Sequence, residues 1–229
     1  MSAETLAPEL AGLVRLSGAL ATRDSATIRG EMAAALDVCV PDEVEEAILQ
    51  SYLFLGYPAA LAAFGLWREL SGRPAPPRRK DDRESWRTRG DRVCRAVYGR
   101  QFEALRRNVA ALHVELGDWM VEEGYGKVLG REGLGFPARE LCIVGLLAVL
   151  HAPDQLHSHL RGALAVGVDP GAVEAALREA DPYLMPEAHE AAWSRWREVI
   201  GRRRGSHETA PGTGNAPGGP SEPDSAPGR

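Results

Sequence analysis

The chain has 229 residues, is 44% hydrophobic and 26% charged, and carries a net charge of −5 at pH 7. That balance excludes a wholly disordered chain, a collagen and a disulfide-framework toxin, and it offers no global basic field for nucleic acid or an anionic membrane. The three cysteines, Cys39, Cys94 and Cys142, are far apart and form neither a Cys-x-x-Cys pair nor a zinc spacing, which reads as reduced thiols in a reducing cytoplasm.

The first ten residues lack a positive segment followed by an apolar core, so no secretory signal is read. Pro41-Asp42-Glu43 predicts a helix start, with proline in the first turn and acids at the positive end; Val44, Ile48 and Leu49 give it an apolar face. Residues 71–91, rich in proline and charge, predict a linker or long surface loop. Phe102, Leu105, Val109, Leu112 and Leu116 form a stripe at steps of three and four that Trp119 and Met120 continue. Pro137 predicts a helix through Leu141, Val144, Leu147 and Leu150. This is the longest apolar run, at half the roughly 20 residues that a membrane span requires. Pro153 predicts the next helix, through His159 to Val166, stopped by Gly167. Residues 205–229, dense in Gly and Pro without a large apolar side chain, read as a disordered tail.

An internal repeat lies at an offset of 129. Phe64-x-x-Trp67-Arg68-Glu69-Leu70 recurs as Trp193-x-x-Trp196-Arg197-Glu198-Val199, and Val44, Ala47 and Ile48 fall on Val173, Ala176 and Leu177. The predicted architecture is all-α, two tandem helical repeats packed into one core: 1–70 as a degenerate first repeat, 71–91 as linker, 92–204 as the second repeat, and 205–229 as tail.

Several stretches then carry a family likeness. Gly124-Tyr125-Gly126, Arg131-Glu132-Gly133-Leu134, Arg139-Glu140-Leu141 and His159-x-x-x-Ala163-x-x-x-Gly167-Val168, with Tyr52-x-x-x-Gly56-Tyr57-Pro58-Ala59-Ala60 in the first repeat, resemble the carboxymuconolactone decarboxylase family. That family includes the alkyl hydroperoxidase D proteins. The resemblance implies an alkyl hydroperoxidase D-like helical bundle, a homo-oligomer as a trimer or larger ring, and small-molecule chemistry in a pocket between helices. One branch decarboxylates a carboxylated unsaturated lactone. The other reduces peroxides with a Cys-x-x-Cys pair assisted by a glutamate and a histidine.

By the same resemblance, Glu140 and His159 match the catalytic glutamate and histidine. The positions of the two redox cysteines hold Ala152 and Gln155, which removes that nucleophile. In the first repeat, Glu140 and His159 fall on Ala11 and Gly30, so one site per chain is expected.

The residues themselves are compatible with this. Glu140 shares a largely apolar face with Val144, Leu147 and His151, where a carboxylate needs a partner. His157 points elsewhere, about 200° around the helix from His159. His151, His157, His159 and Asp154 do not converge on one face, so no metal is read, and no glycine-rich phosphate loop calls for a cofactor. Arg139, Arg131 and Lys127 are candidate partners for a substrate anion, with a surface role equally open for Arg139; Tyr125 and Gln155 complete the substrate-binding set. Gly56-Tyr57-Pro58 reads as a tight helix connection.

The expectation is a cytoplasmic, cofactor-independent acid/base enzyme acting on a small carboxylated lactone or related acid, with no nucleic acid or membrane partner. A peroxidase-like antioxidant protein and a non-catalytic helical binding or oligomerisation module are the alternatives.

Overall fold

A computed structural model describes residues 5–208, with side chains through residue 203. Among these residues every regular element is helical: α1 (Pro8–Thr22), α2 (Ser25–Val38), α3 (Pro41–Ser71), α4 (Arg83–Tyr98), α5 (Phe102–Leu112), α6 (Val114–Trp119), a π-helical segment (Met120–Leu129), α7 (Phe136–Val149), α8 (Pro153–Ala165), α9 (Pro170–Ala180) and α10 (Pro186–Glu208), with short 3-10 turns before α5 and α10.

Local chemistry sets these starts. Proline occupies the first turn of α1, α3, α7, α8 and α9, where its missing N–H forfeits no helical bond. Asp24, Asp82 and Asp169 cap α2, α4 and α9, each accepting from a backbone N–H one or two residues into the helix at 2.7–2.8 Å. The helix starts keep the sequence offset of 129: Pro8 with Pro137, Pro41 with Pro170.

The centre of the bundle is α7, whose Leu141, Cys142, Ile143, Val144, Leu146, Leu147 and Ala148 are all buried. A helix apolar on every side belongs inside a core. α1 lies against it, approaching closely where Gly145 faces Val14 and Gly18 faces Val149. Helices from both sides of residues 71–91 join one hydrophobic cluster, so no boundary there divides the core.

Several expectations are corrected. Only 72–82 is irregular; 83–91 is the first half of α4, opened by the Asp82 cap. The stripe from Phe102 does not run through to Met120. The chain breaks at His113 (φ −163°, ψ 128°), and Leu112, Val114, Leu116 and Trp119 are exposed. Of the predicted tail, 205–208 is helical; 209–229 lies outside the described residues. α3, at 31 residues, is long and apolar enough by length and composition to cross a membrane, which the sequence reading did not anticipate. It is interrupted at Gly56 (φ 80°, ψ 169°), and it buries Glu45, Glu46 and Gln50 against protein partners together with Val44, Ile48 and Trp67. A left-handed residue inside a helix favours glycine, and Pro58 follows at the start of the second half.

Candidate functional site

Glu140 stands one turn into α7 and is fully buried. His159 stands in the second turn of α8, with a side chain 12% exposed. The two meet: His159 Nδ1 lies 2.9 Å from Glu140 Oε2. The approach depends on Gly162, one turn after His159. A Cβ there would stand 3.2 Å from Glu140 Oε2, so the absent side chain leaves the gap that the carboxylate occupies. The second oxygen, Oε1, is buried without a hydrogen-bond partner among the described residues. A buried carboxyl group needs a hydrogen-bond partner, and His159 Nδ1 supplies it.

His159 faces a hollow of about 420 Å³. Its wall is mostly apolar, from Leu53 and Phe54 of α3, Leu105 and Val109 of α5, and Met120 and Leu129 of the π-helical segment. Phe54 meets the imidazole edge-on, with ring centroids 5.8 Å apart. Polar atoms come from Tyr98, Tyr125, Gln155 and Ser158, and from Asp154, which pairs with Arg195 at 2.9 Å. Among the described residues no Lys or Arg lines this hollow.

The hydroxyls of Tyr98 and Tyr125 share a short hydrogen bond. Burial pushes both phenols up, Tyr98 to about 12 and Tyr125 well above its ordinary value, and the Glu140 carboxylate adds to both shifts. Both tyrosines therefore stay protonated at neutral pH, and the pair retains one O–H to donate.

The π-helical segment is held by direct backbone contact with α4. A Cβ built on Gly126 would stand 2.0 Å from the Trp86 carbonyl oxygen, and one on Gly90 2.0 Å from that of Val121. Arg89 Nε donates to the Gly126 carbonyl at 2.6 Å. Wide π-turns recur at functional sites, and here the turn carries Met120, Gly124, Tyr125 and Leu129 to the hollow.

Four of the seven residues singled out in the sequence come together at the hollow or directly behind it: Glu140, His159, Tyr125 and Gln155. Arg139, Arg131 and Lys127 do not. Arg139 is fully buried, which excludes a surface role; its Nη2 donates to Glu46 Oε2 at 2.7 Å, Nη1 to Gln50 Oε1 at 3.3 Å and Nε to the Leu134 carbonyl. Arg131 donates to both oxygens of the same Glu46. The anion-binding role read for these arginines is corrected: Glu46, from the distant α3, takes up both. Burial favours the neutral form of Glu46, but the two guanidiniums outweigh it and hold the carboxyl below the usual range. Lys127 lies 3.4 Å from Glu123 and over the Trp86 ring.

His157 turns towards Glu198 of α10, 3.9 Å away, and His151 is exposed at the turn before α8. Among the described residues no three His, Cys, Asp or Glu side chains form a metal-binding group. All three cysteines are buried free thiols, and burial pushes Cys94 and Cys142 up to about 12. Sequence reasoning missed Tyr98, Phe54 and Gly162. Only Gly162 left a signal, as a small residue three positions after His159 on the same helix face.

Residues 115–198 match the family model described as the carboxymuconolactone decarboxylase family. They run from α6 to the middle of α10 and include Tyr125, Glu140, Gln155 and His159. No curated protein matches the chain.

Proposed function

We propose, from the match of residues 115–198 to the model of the carboxymuconolactone decarboxylase family, that the protein is a cofactor-independent acid/base enzyme that moves a proton to or from carbon in a small molecule held in the His159 hollow. The observation that carries this is the buried Glu140 carboxylate at 2.9 Å from Nδ1 of a histidine lining a cavity. An ionised Glu140 fixes the Nδ1–H tautomer and stabilises the imidazolium, which leaves Nε2 to exchange the proton.

For decarboxylation of an unsaturated lactone, the C–C bond to the carboxylate breaks and carbon dioxide leaves. The electron pair enters the conjugated carbonyl as an enolate. His159 Nε2–H then protonates carbon, and solvent restores the proton. The neutral Tyr98–Tyr125 pair offers an O–H to the enolate oxygen. The apolar wall disfavours the localised charge of the departing carboxylate.

A thiol peroxidase is disfavoured, because Ala152 and Gln155 stand where its cysteines belong and the three thiols present are buried. Those free thiols support a reducing compartment. The offset of 129 shared by the helix starts supports a duplicated helical unit. Exposed Leu112, Val114, Leu116 and Trp119 support a homo-oligomer.

The test is carbon dioxide release from a panel of unsaturated lactone acids. His159→Gln and Glu140→Gln should each lower turnover, by about 10²–10⁴-fold for the histidine, with the fold intact by circular dichroism. Wild-type turnover in His159→Gln would defeat the proposal.

A further inference from the structure

A second hollow, of about 440 Å³, adjoins the first. The two share Tyr98, Leu105 and Ser158 as common wall. The shared residues place the two side by side along α8. On α8, Ser158 lines both hollows and Gly162 the second, and at 100° per residue His159 and Arg161 fall on opposite flanks of Ser158. His159 faces the first lobe and Arg161 lines the second.

The lobes differ in chemistry. Among the described residues, no Lys or Arg lines the first. The second brings Arg161 together with the polar side chains of Gln101, Asn108 and Ser158. Arg161 Nη2 donates to Gln101 Oε1 at 3.0 Å, a neutral acceptor that holds the guanidinium over the lobe without discharging it. Arg161 forms no ion pair among the described residues, whereas Arg131, Arg139 and Arg195 are all taken up by carboxylates. A guanidinium in a concavity, with donors left over, suits a carboxylate.

We propose that the second lobe is an anion subsite, and that the ligand is an elongated organic acid whose retained carboxylate sits on Arg161 while its apolar part fills the His159 hollow. Arg161 is then the residue that sets specificity for charge. The proposal rests on the hollow being a substrate site, as read above, but not on proton transfer by His159.

Two probes of one shape separate the ideas: 4-phenylbutanoate and the uncharged 4-phenylbutanamide, titrated by calorimetry. Wild type should bind the acid about tenfold or more tightly than the amide, the range expected of a charge-assisted hydrogen bond. Arg161→Gln should bring the two within about twofold of one another, and Arg161→Lys should keep part of the preference. His159→Gln should leave the preference in place. Equal binding of the two probes by wild type, an undiminished preference in Arg161→Gln, or no binding of the acid at about 10 mM would each overturn the subsite. Loss of the preference with His159 still essential for turnover would remove the subsite and leave the acid/base reading. A preserved preference with turnover unaffected in His159→Gln would do the reverse.

Discussion

Replacing Gly126 by alanine tests whether the hollow depends on backbone contact between α4 and the π-helical segment. The new Cβ would stand 2.0 Å from the Trp86 carbonyl oxygen and 2.6 Å from its carbon. Both atoms are backbone, so no rotamer change relieves the contact, and the segments must separate by about 1 Å. Overpacking of this kind typically costs about 1–3 kcal/mol. Alanine recovers at most about 1 kcal/mol over glycine within a helix. Because both clashing atoms are backbone, the upper end of that range applies, and the net loss is about 2 kcal/mol. For a chain of this size that lowers Tm by about 4–8 °C. The control is Gly65→Ala in α3, where the new Cβ would meet nothing within 4 Å; it should leave Tm unchanged or raise it slightly. Thermal unfolding followed by circular dichroism reads both. A Gly126→Ala protein that melts with or above wild type would refute the close approach and the shape of the wall it supports.

Glu46→Gln should be among the more damaging single changes, at about 3–5 kcal/mol, because it strips the shared counter-charge from fully buried Arg139 and largely buried Arg131. Glu46 is held below the usual glutamate range in the fold. Its contribution is thus present above the unfolded value and is lost as pH falls through the lowered folded one. Wild-type denaturant midpoints should drop over that acid range more steeply than those of Glu46→Gln; parallel curves would contradict the pairing. Light scattering at micromolar concentration should show an oligomer that Leu112→Glu or Trp119→Glu weakens, whereas a wild-type monomer of 24.7 kDa would end the self-association reading.

Much of the scaffold was legible because its signals are local. Proline at helix starts marks α3, α7 and α8 within a residue or two, and the all-round apolar character of α7 marks the core. The Glu140–His159 pair was legible through the resemblance of the surrounding motifs to the carboxymuconolactone decarboxylase family. What escaped depends on distant chain segments. Arg139 and Arg131 looked available for a substrate because Glu46 lies 93 and 85 residues away, and no periodicity links them. The stripe through Leu112 and Leu116 had helical spacing, yet His113 adopts extended backbone and caps α6 through its own ring, accepting from Glu115 N–H. The π-helical segment was invisible because its register is imposed by Gly90 and Gly126 lying against a neighbour's backbone, not by side-chain pattern.

Phe54 and Leu53, just ahead of the Gly56 interruption, roof the chamber whose Glu140–His159 pair belongs to α7 and α8. Neither half of the polypeptide owns the site. A fragment starting at Arg83 would lose α1, which packs on α7, together with the apolar cover that α3 places over the imidazole. Changes near residue 54 would therefore reach the proposed chemistry without altering a single ionisable group.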